Sequence, residues 1–304
     1  MSKQDGEIAL ETGVARYRVV DPHTRSGSTI MLLAGLGAHA CDTPMLSPLI
    51  DTLAHAGHRS VMVDWHGPRG ARTVASDVEA VLAVHEALVE SRAIDSANVV
   101  LFGHSIGALV AALAASVASF AGVVVYGAAA RRFADALEVG TSRQLPLRGF
   151  TREAAEQETR LSGRLYRAVL RGGLACEALP RELLASVAAG DLRGDALFGQ
   201  PIEYLRSIDA IEPEAVIRRV ACPLHAIQGG FDWVVGDGDA HAIAAWSRLG
   251  TALSIAKADH YLGSHVDLES SMRERGRGAP SGEAVAAVVA SCEVLLNHAG
   301  VTRT

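Results

Sequence analysis

Residues 98–116 read NVVLFGHSIGALVAALAAS. An apolar run from Val99 to Phe102 passes without a spacer into Gly103-His104-Ser105-Ile106-Gly107, and then into an Ala-rich stretch of high helical propensity. A strand that turns directly into a helix around a serine predicts a very sharp turn. A side chain two residues before or after the serine would collide with neighbouring backbone, so both places hold glycine. The turn lifts the hydroxyl above the sheet, and the helix behind it offers unpaired N–H groups and partial positive charge. Ser105 is therefore expected to be a nucleophile.

Working outward, strands and helices alternate. Thr29 to Leu33 and Ser60 to Asp64 read as buried strands, Thr43-Pro44 opens a helix to about Ala56, and Thr73 to Ser91 has the 3.6-residue apolar period of a helix packed on a sheet. Glu7 to Val20 suggests two short antiparallel strands around Thr12-Gly13. The uncharged run from Ile106 to Ala130 is long enough for a membrane span. It breaks at Ser119-Phe120-Ala121-Gly122 into a helix-length half and a VVVY half, so it reads as a buried helix followed by a buried parallel strand. After Gly122 to Tyr126 the strands stop. From Arg131 to about Arg219 only helical stretches occur, and then come the strand Cys222 to Gln228, a helix near Gly238 to Ser247, the strand Thr251 to Ala256 and a helix from Ser281 to His298. The fold class expected is α/β, a mostly parallel doubly wound sheet with an inserted all-helical cap. Residues 1–130 and 220–304 would form the core and 131–219 the cap. Ser264 to Gly282, with Arg273, Arg275 and Arg277, reads as an exposed loop.

A serine hydroxyl needs a base, and the base needs an orienting carboxylate. In a doubly wound sheet these come from loops at the C-terminal ends of later strands. The strand ending in GGFDWVV places Asp232 just past its end, with Asp237 and Asp239 as alternatives; the strand ending in KADHYLGSH places His260 there, with His265 as competitor. The order Ser105, Asp232, His260 suits such a sheet. An oxyanion hole requires two N–H groups. Ile106 follows the nucleophile, and Leu36 sits in LLAGLGAHA between Gly35 and Gly37, where the backbone can approach a substrate.

These residues resemble those of the α/β-hydrolase superfamily, over about residues 7 to 299, with a helical cap after the sixth strand. The resemblance implies a serine esterase for a small to medium, largely apolar acyl substrate. Gly-His-Ser-Ile-Gly-Ala and the His-Tyr-Leu at 260–262 also resemble thioesterases of biosynthetic pathways, so thioesterase or acyltransferase is an alternative, and a ligand receptor on this fold is another. In place of the His-Gly of many relatives this chain has Ala34-Gly35, and their Asp-x-x-Gly-x-Gly is here one residue longer, Asp64 to Gly70.

Composition narrows the partners. Of 304 residues 49% are hydrophobic but only 5% aromatic, so the interior is aliphatic. A net charge of −6 without a long basic run argues against nucleic acid or an anionic membrane and leaves a small-molecule ester or thioester as the partner. Cys41, Cys176, Cys222 and Cys292 lie far apart, giving neither a zinc pattern nor a disulfide framework. His39, Cys41 and Asp42 read as a pocket-lining loop; no metal and no cofactor are expected. The charged N-terminus lacks the apolar stretch of a secretory signal, and a cytoplasmic location is expected. The scarce aromatics Trp65, Phe102, Tyr126, Phe231, Trp233 and Tyr261 all fall at or beside strand ends, and are expected to line an apolar pocket over Ser105.

Overall fold

The computed structural model describes residues 1–24, 27–68 and 70–301. Strands β1 (Ser2–Ala9) and β2 (Val14–Asp21) form the antiparallel start, longer than the sequence suggested. They join β3 (Thr29–Leu33), β4 (Arg59–His66), β5 (Val99–His104), β6 (Gly122–Tyr126), β7 (Leu224–Gly229) and β8 (Gly250–Ile255) in one sheet of order β1-β2-β4-β3-β5-β6-β7-β8. From β4 onward every pairing is parallel. The order places β5, which carries the serine turn, at the centre, with β6, β7 and β8 fanning out on one side.

Strand parity divides the core. Met31, Leu33, Val99, Leu101, Val123 and Val125 face one apolar cluster; Ile30, Leu32, Val100, Phe102, Val124 and Tyr126 face the other. This is the period-2 alternation of a pleated strand covered on both sides. The second cluster is closed by helix α1 (Ser47–His55), which follows a short turn at Pro44–Leu46, and by the terminal helix Gly282–Val301. The first is covered by α2 (Val74–Glu90) and α3 (Ile106–Ala115). Thr73 caps α2 through a reciprocal hydrogen bond with Ser76, which sets its first turn. The run that imitated a span is α3 plus β6, and among the described residues no helix is long and apolar enough to cross a membrane.

Between β6 and β7 lie α4 (Phe133–Leu147), α5 (Arg152–Leu170), α6 (Arg181–Leu184), α7 (Ile202–Asp209) and α8 (Pro213–Ile217). Reading this stretch as free of strands missed three two-residue strands, Leu192–Arg193, Ala196–Leu197 and Gln200–Pro201, which are too short to leave a sequence period. Its apolar side chains, among them Leu165, Tyr166 and Leu205, join the cluster under α3. Buried Asp209 draws it together by accepting from Ala134 N, Arg132 and Arg171, while Tyr204 Oη donates to Asp77 of α2 at 2.7 Å. Helix α9 (Asp239–Trp246) connects β7 to β8. The predicted loop Ser264 to Gly282 contains a further helix, α10 (Leu268–Glu274), capped reciprocally by Asp267 and Ser270; the terminal helix is therefore α11. Arg69, in the lengthened Asp64 to Gly70 turn, lies outside the described residues.

Candidate active site

Ser105 sits between β5 and α3 with φ +54° and ψ −119°, a conformation an L-residue adopts only under constraint. The constraint is visible on both sides. A β-carbon on Gly103 would lie 2.3 Å from Gly107 O, and one on Gly107 would lie 2.5 Å from the carbonyl oxygens of Leu33 and Ala34. Ser105 N donates to Tyr126 O at 2.9 Å, tying the turn to β6. Gly103→Ala is accordingly expected to destabilise the fold by about 3 kcal/mol. Thermal melts check this, and a melting temperature within two degrees of the parent would mean that the turn relaxes more easily than its contacts imply.

Gly230 and Phe231 follow the last residue of β7, and the third residue past it is Asp232, fully buried; His260 lies in the loop after β8 at 3% exposure. His260 Nδ1 donates to Asp232 Oδ2 at 2.8 Å, while Oδ1 accepts from the amides of Val234 (2.8 Å) and Val235 (3.1 Å). Burial pushes the Asp232 carboxyl upward, but the imidazole beside it and the two amides outweigh burial and hold it below its ordinary value. With Nδ1 committed as donor, the neutral ring presents Nε2 as a lone pair. The alternatives lie elsewhere. Asp237 is exposed and pairs with Arg143 at 2.8 Å, and buried Asp239 pairs with Arg131. His265 is buried against Asp259 at 2.9 Å and does not line the cavity described below.

The loop carrying His260 is fixed from several directions. Asp259 Oδ1 accepts from the amides of Tyr261 (2.8 Å) and Gly263 (2.6 Å), and Tyr126 Oη donates to Asp259 O at 2.7 Å. His104 Nε2 donates to His260 O at 2.8 Å, which leaves its Nδ1 as a buried acceptor without a partner among the described residues. Burial, then the neighbouring His260, pulls the His104 pKa down to about 3, so this ring stays neutral. Gly127, at φ +61°, lets the imidazole lie against the backbone: a β-carbon there would be 2.9 Å from His260 Nδ1. From α4, Arg143 Nη2 donates to Asp232 O at 2.7 Å. Sequence reasoning missed these supports. Only Gly127, a glycine directly after a central strand, carried a signal; Arg143 lies about ninety positions from the group it grips.

Ser105 and His260 line one cavity of about 800 Å³, together with Leu36, Ile106 and His104. Among the described residues no hydrogen bond joins Ser105 Oγ to His260, and catalytic contacts of this kind often tighten only with substrate. Gly35 is packed against the serine: a β-carbon there would lie 3.0 Å from Ser105 Cβ. No protein acceptor among the described residues takes the Leu36 amide, and Ile106 opens α3, where the first amides lack intrahelical partners. Most of the wall is apolar, and about half of it comes from the segment between β6 and β7, including Phe133, Leu137, Leu145, Tyr166, Phe198 and Ile208.

The aromatic expectation needs correcting. Trp233 and Tyr261 line the cavity, whereas Trp65, Phe102, Tyr126 and Phe231 do not. Parity explains two of these: Val125 faces the cavity, so Tyr126 points to the opposite face, as does Phe102. Trp65 lies on β4, separated from β5 by β3, and packs near Gly13 and Gly67. Phe231 is held away by its backbone, whose amide donates to Ala258 O and whose carbonyl accepts from Ser271 Oγ. Of the His39-Cys41-Asp42 loop, none lines the cavity, although Ala38, Thr43 and Pro44 do. His39 comes near Asp64 and His66, with ligand atoms within 4.8 Å, but the rings stack and the two Asp64 oxygens accept the amides of Ala40 (2.6 Å) and Cys41 (2.9 Å). Asp64 thus braces the loop after β3.

A strained serine at a central strand-to-helix turn, under an eight-stranded sheet of this order, defines a class. The sequence matches the model of the alpha/beta hydrolase family over residues 30–287, and the chain belongs to that family. No curated protein matches it. Among solved structures it is similar to Est1E from Butyrivibrio proteoclasticus, with TM-score 0.60 and 16% identity over 90% of this chain and 96% of that one. A highly thermostable carboxyl esterase from Bacillus coagulans gives 0.59 and 15%, over 97% and 99% of the two chains. The thioesterase domain from the curacin biosynthetic pathway gives 0.55 and 10%, over 97% and 100%. At these identities the likeness is one of fold.

Proposed function

We propose that this hydrolase cleaves a carboxylic ester or thioester of a small to medium, largely apolar acyl group through an acyl-enzyme. Ser105 is the nucleophile, His260 the base and Asp232 its orienting acid; residues 131–219 act as a cap over a core formed by 1–130 and 220–304. The observation that carries this reading is the buried 2.8 Å Asp232–His260 pair, opening with Ser105 onto one apolar cavity. Ser105 Oγ forms a bond to the acyl carbon as Nε2 of His260 takes its proton, and the Leu36 and Ile106 amides hold the oxyanion. The carbon–oxygen or carbon–sulfur bond then breaks, and the leaving group takes the proton from His260. Water repeats the sequence, with its proton passing through His260 to Ser105. Trp233 and Tyr261 belong to the substrate wall.

Labelling with a fluorophosphonate, followed by kcat/KM on p-nitrophenyl esters and acyl thioesters of increasing chain length, tests the reading. Label on Ser105 with turnover rising to medium chain lengths is expected. Label without turnover of either series would instead indicate a ligand receptor, and absence of both would remove Ser105 from the chemistry.

A further inference from the structure

The residues lining the cavity are mostly buried or half-buried; the exposed ones are Pro44, Arg148, Asp191, Arg275, Gly276 and Arg277. All but Pro44 belong together. Desolvation holds the Asp191 carboxyl above its ordinary value against the opposing charges of Arg148, Arg193 and Arg275, and a β-carbon on Gly276 would lie 2.7 Å from the Tyr261 ring. The cavity therefore opens to solvent between the end of α4 and the turn after α10. Among the described residues no carboxylate lies within ion-pair distance of Arg148, Arg275 or Arg277, although acidic residues outnumber basic ones 34 to 28 in the chain. Among the described residues the Arg277 side chain bonds only the carbonyl of Glu274. The turn is held in place: Arg275 adopts φ +46° and Gly276 φ +75°, which seats the glycine on Tyr261.

This opening has a definite side. Tyr261 stands edge-on to His260 at 5.2 Å between ring centroids and Gly276 packs on Tyr261, so the turn carrying Arg275 and Arg277 lies on the side of the imidazole that would protonate the leaving group. The apolar wall that the inserted segment supplies, with Leu137 and Leu145 of α4 and Tyr166 of α5, lies deeper in the cavity, where an acyl chain fits. We propose that the leaving group is a thiol or alcohol bearing a phosphate, gripped at the mouth by Arg148, Arg275 and Arg277. Guanidinium groups from two elements suit a group with several charged oxygens, which accept paired N–H bonds from arginine.

The inference rests on the acyl-transfer reading, and matched substrates separate the two. Hexanoyl thioesters of pantetheine and of 4′-phosphopantetheine differ only in the phosphate. The phosphorylated thioester is expected to have the higher kcat/KM by about tenfold or more, mainly through KM, with the advantage shrinking as salt is added. Arg148→Gln, and Arg275→Gln with Arg277→Gln, should bring the ratio of the two substrates toward one. Because the ratio is taken within each variant, loss of folded protein lowers both rates and leaves it unchanged. A parent ratio near one, with both thioesters turned over, or a ratio that survives the substitutions, would overturn the phosphate site alone. Failure to turn over either thioester or a p-nitrophenyl ester would overturn the reading beneath it.

Discussion

Ser105→Ala is expected to lower kcat on a medium-chain p-nitrophenyl ester by about 10⁴-fold or more, with the melting temperature close to that of the parent. The two halves of this expectation have separate origins. Without the hydroxyl no acyl-enzyme forms, and only binding and the oxyanion amides remain to favour the transition state. Alanine at 105 inherits the backbone at φ +54° and the same contacts around Gly103 and Gly107, so strain neither rises nor falls. Mass spectrometry after fluorophosphonate treatment should show label on the parent and none on the variant. Residual turnover above about 1% would point to another nucleophile.

The second large effect is expected from Asp232→Asn, again about 10⁴-fold in kcat. An asparagine cannot reproduce the bonds seen here. If its amide nitrogen faces His260, it donates to Nδ1, forces the proton onto Nε2, and removes the lone pair that would accept from Ser105. If its oxygen faces His260 instead, its NH₂ opposes the amides of Val234 and Val235, which also donate. Either orientation leaves a defect in a fully buried place. The substitution should also alter acid stability. Because folding holds the Asp232 carboxyl below its ordinary value, it contributes stability that is present above about pH 3.9 and is lost as pH falls through the folded-state value. Urea midpoints measured from pH 6 downward should therefore fall more steeply for the parent than for the variant at the acid end. Parallel curves would show that the paired carboxylate contributes nothing to folding.

The elbow was legible because its constraint is local. Gly103 and Gly107 are required by atoms within five residues of the serine and by one neighbouring strand, so the pentapeptide records the geometry almost alone. Asp232 and His260 were legible as candidates through position, each just beyond the end of a parallel strand on the β6 side of β5. The aromatic wall was misjudged because proximity to a strand end says nothing about which face a side chain takes, and one position of parity separates Val125 in the cavity from Tyr126 beneath it. Helix α10 was hidden by its seven residues and by glycines and arginines around it, although Asp267 stood at its start as a capping residue. Supports such as His104 to His260 O and Arg143 to Asp232 O act through backbone carbonyls, which every residue has, so no residue type at the receiving end marks them.

Helix α4 meets the acid loop in two places: Gly140 lies so close that a β-carbon would sit 2.7 Å from Val234 O, and Arg143 holds the carbonyl of Asp232. The same helix supplies Leu137 and Leu145 to the cavity wall and ends at Arg148 in the mouth. Substrate selection and acid placement are thus mechanically linked through one rigid rod. Engineering that reshapes α4 to admit a longer or bulkier acyl group will shift the aspartate as well, so changes in selectivity on this scaffold will arrive together with changes in turnover. Tyr166 of α5, which lines the cavity and among the described residues has no hydrogen bond to the acid loop, offers the route to one without the other.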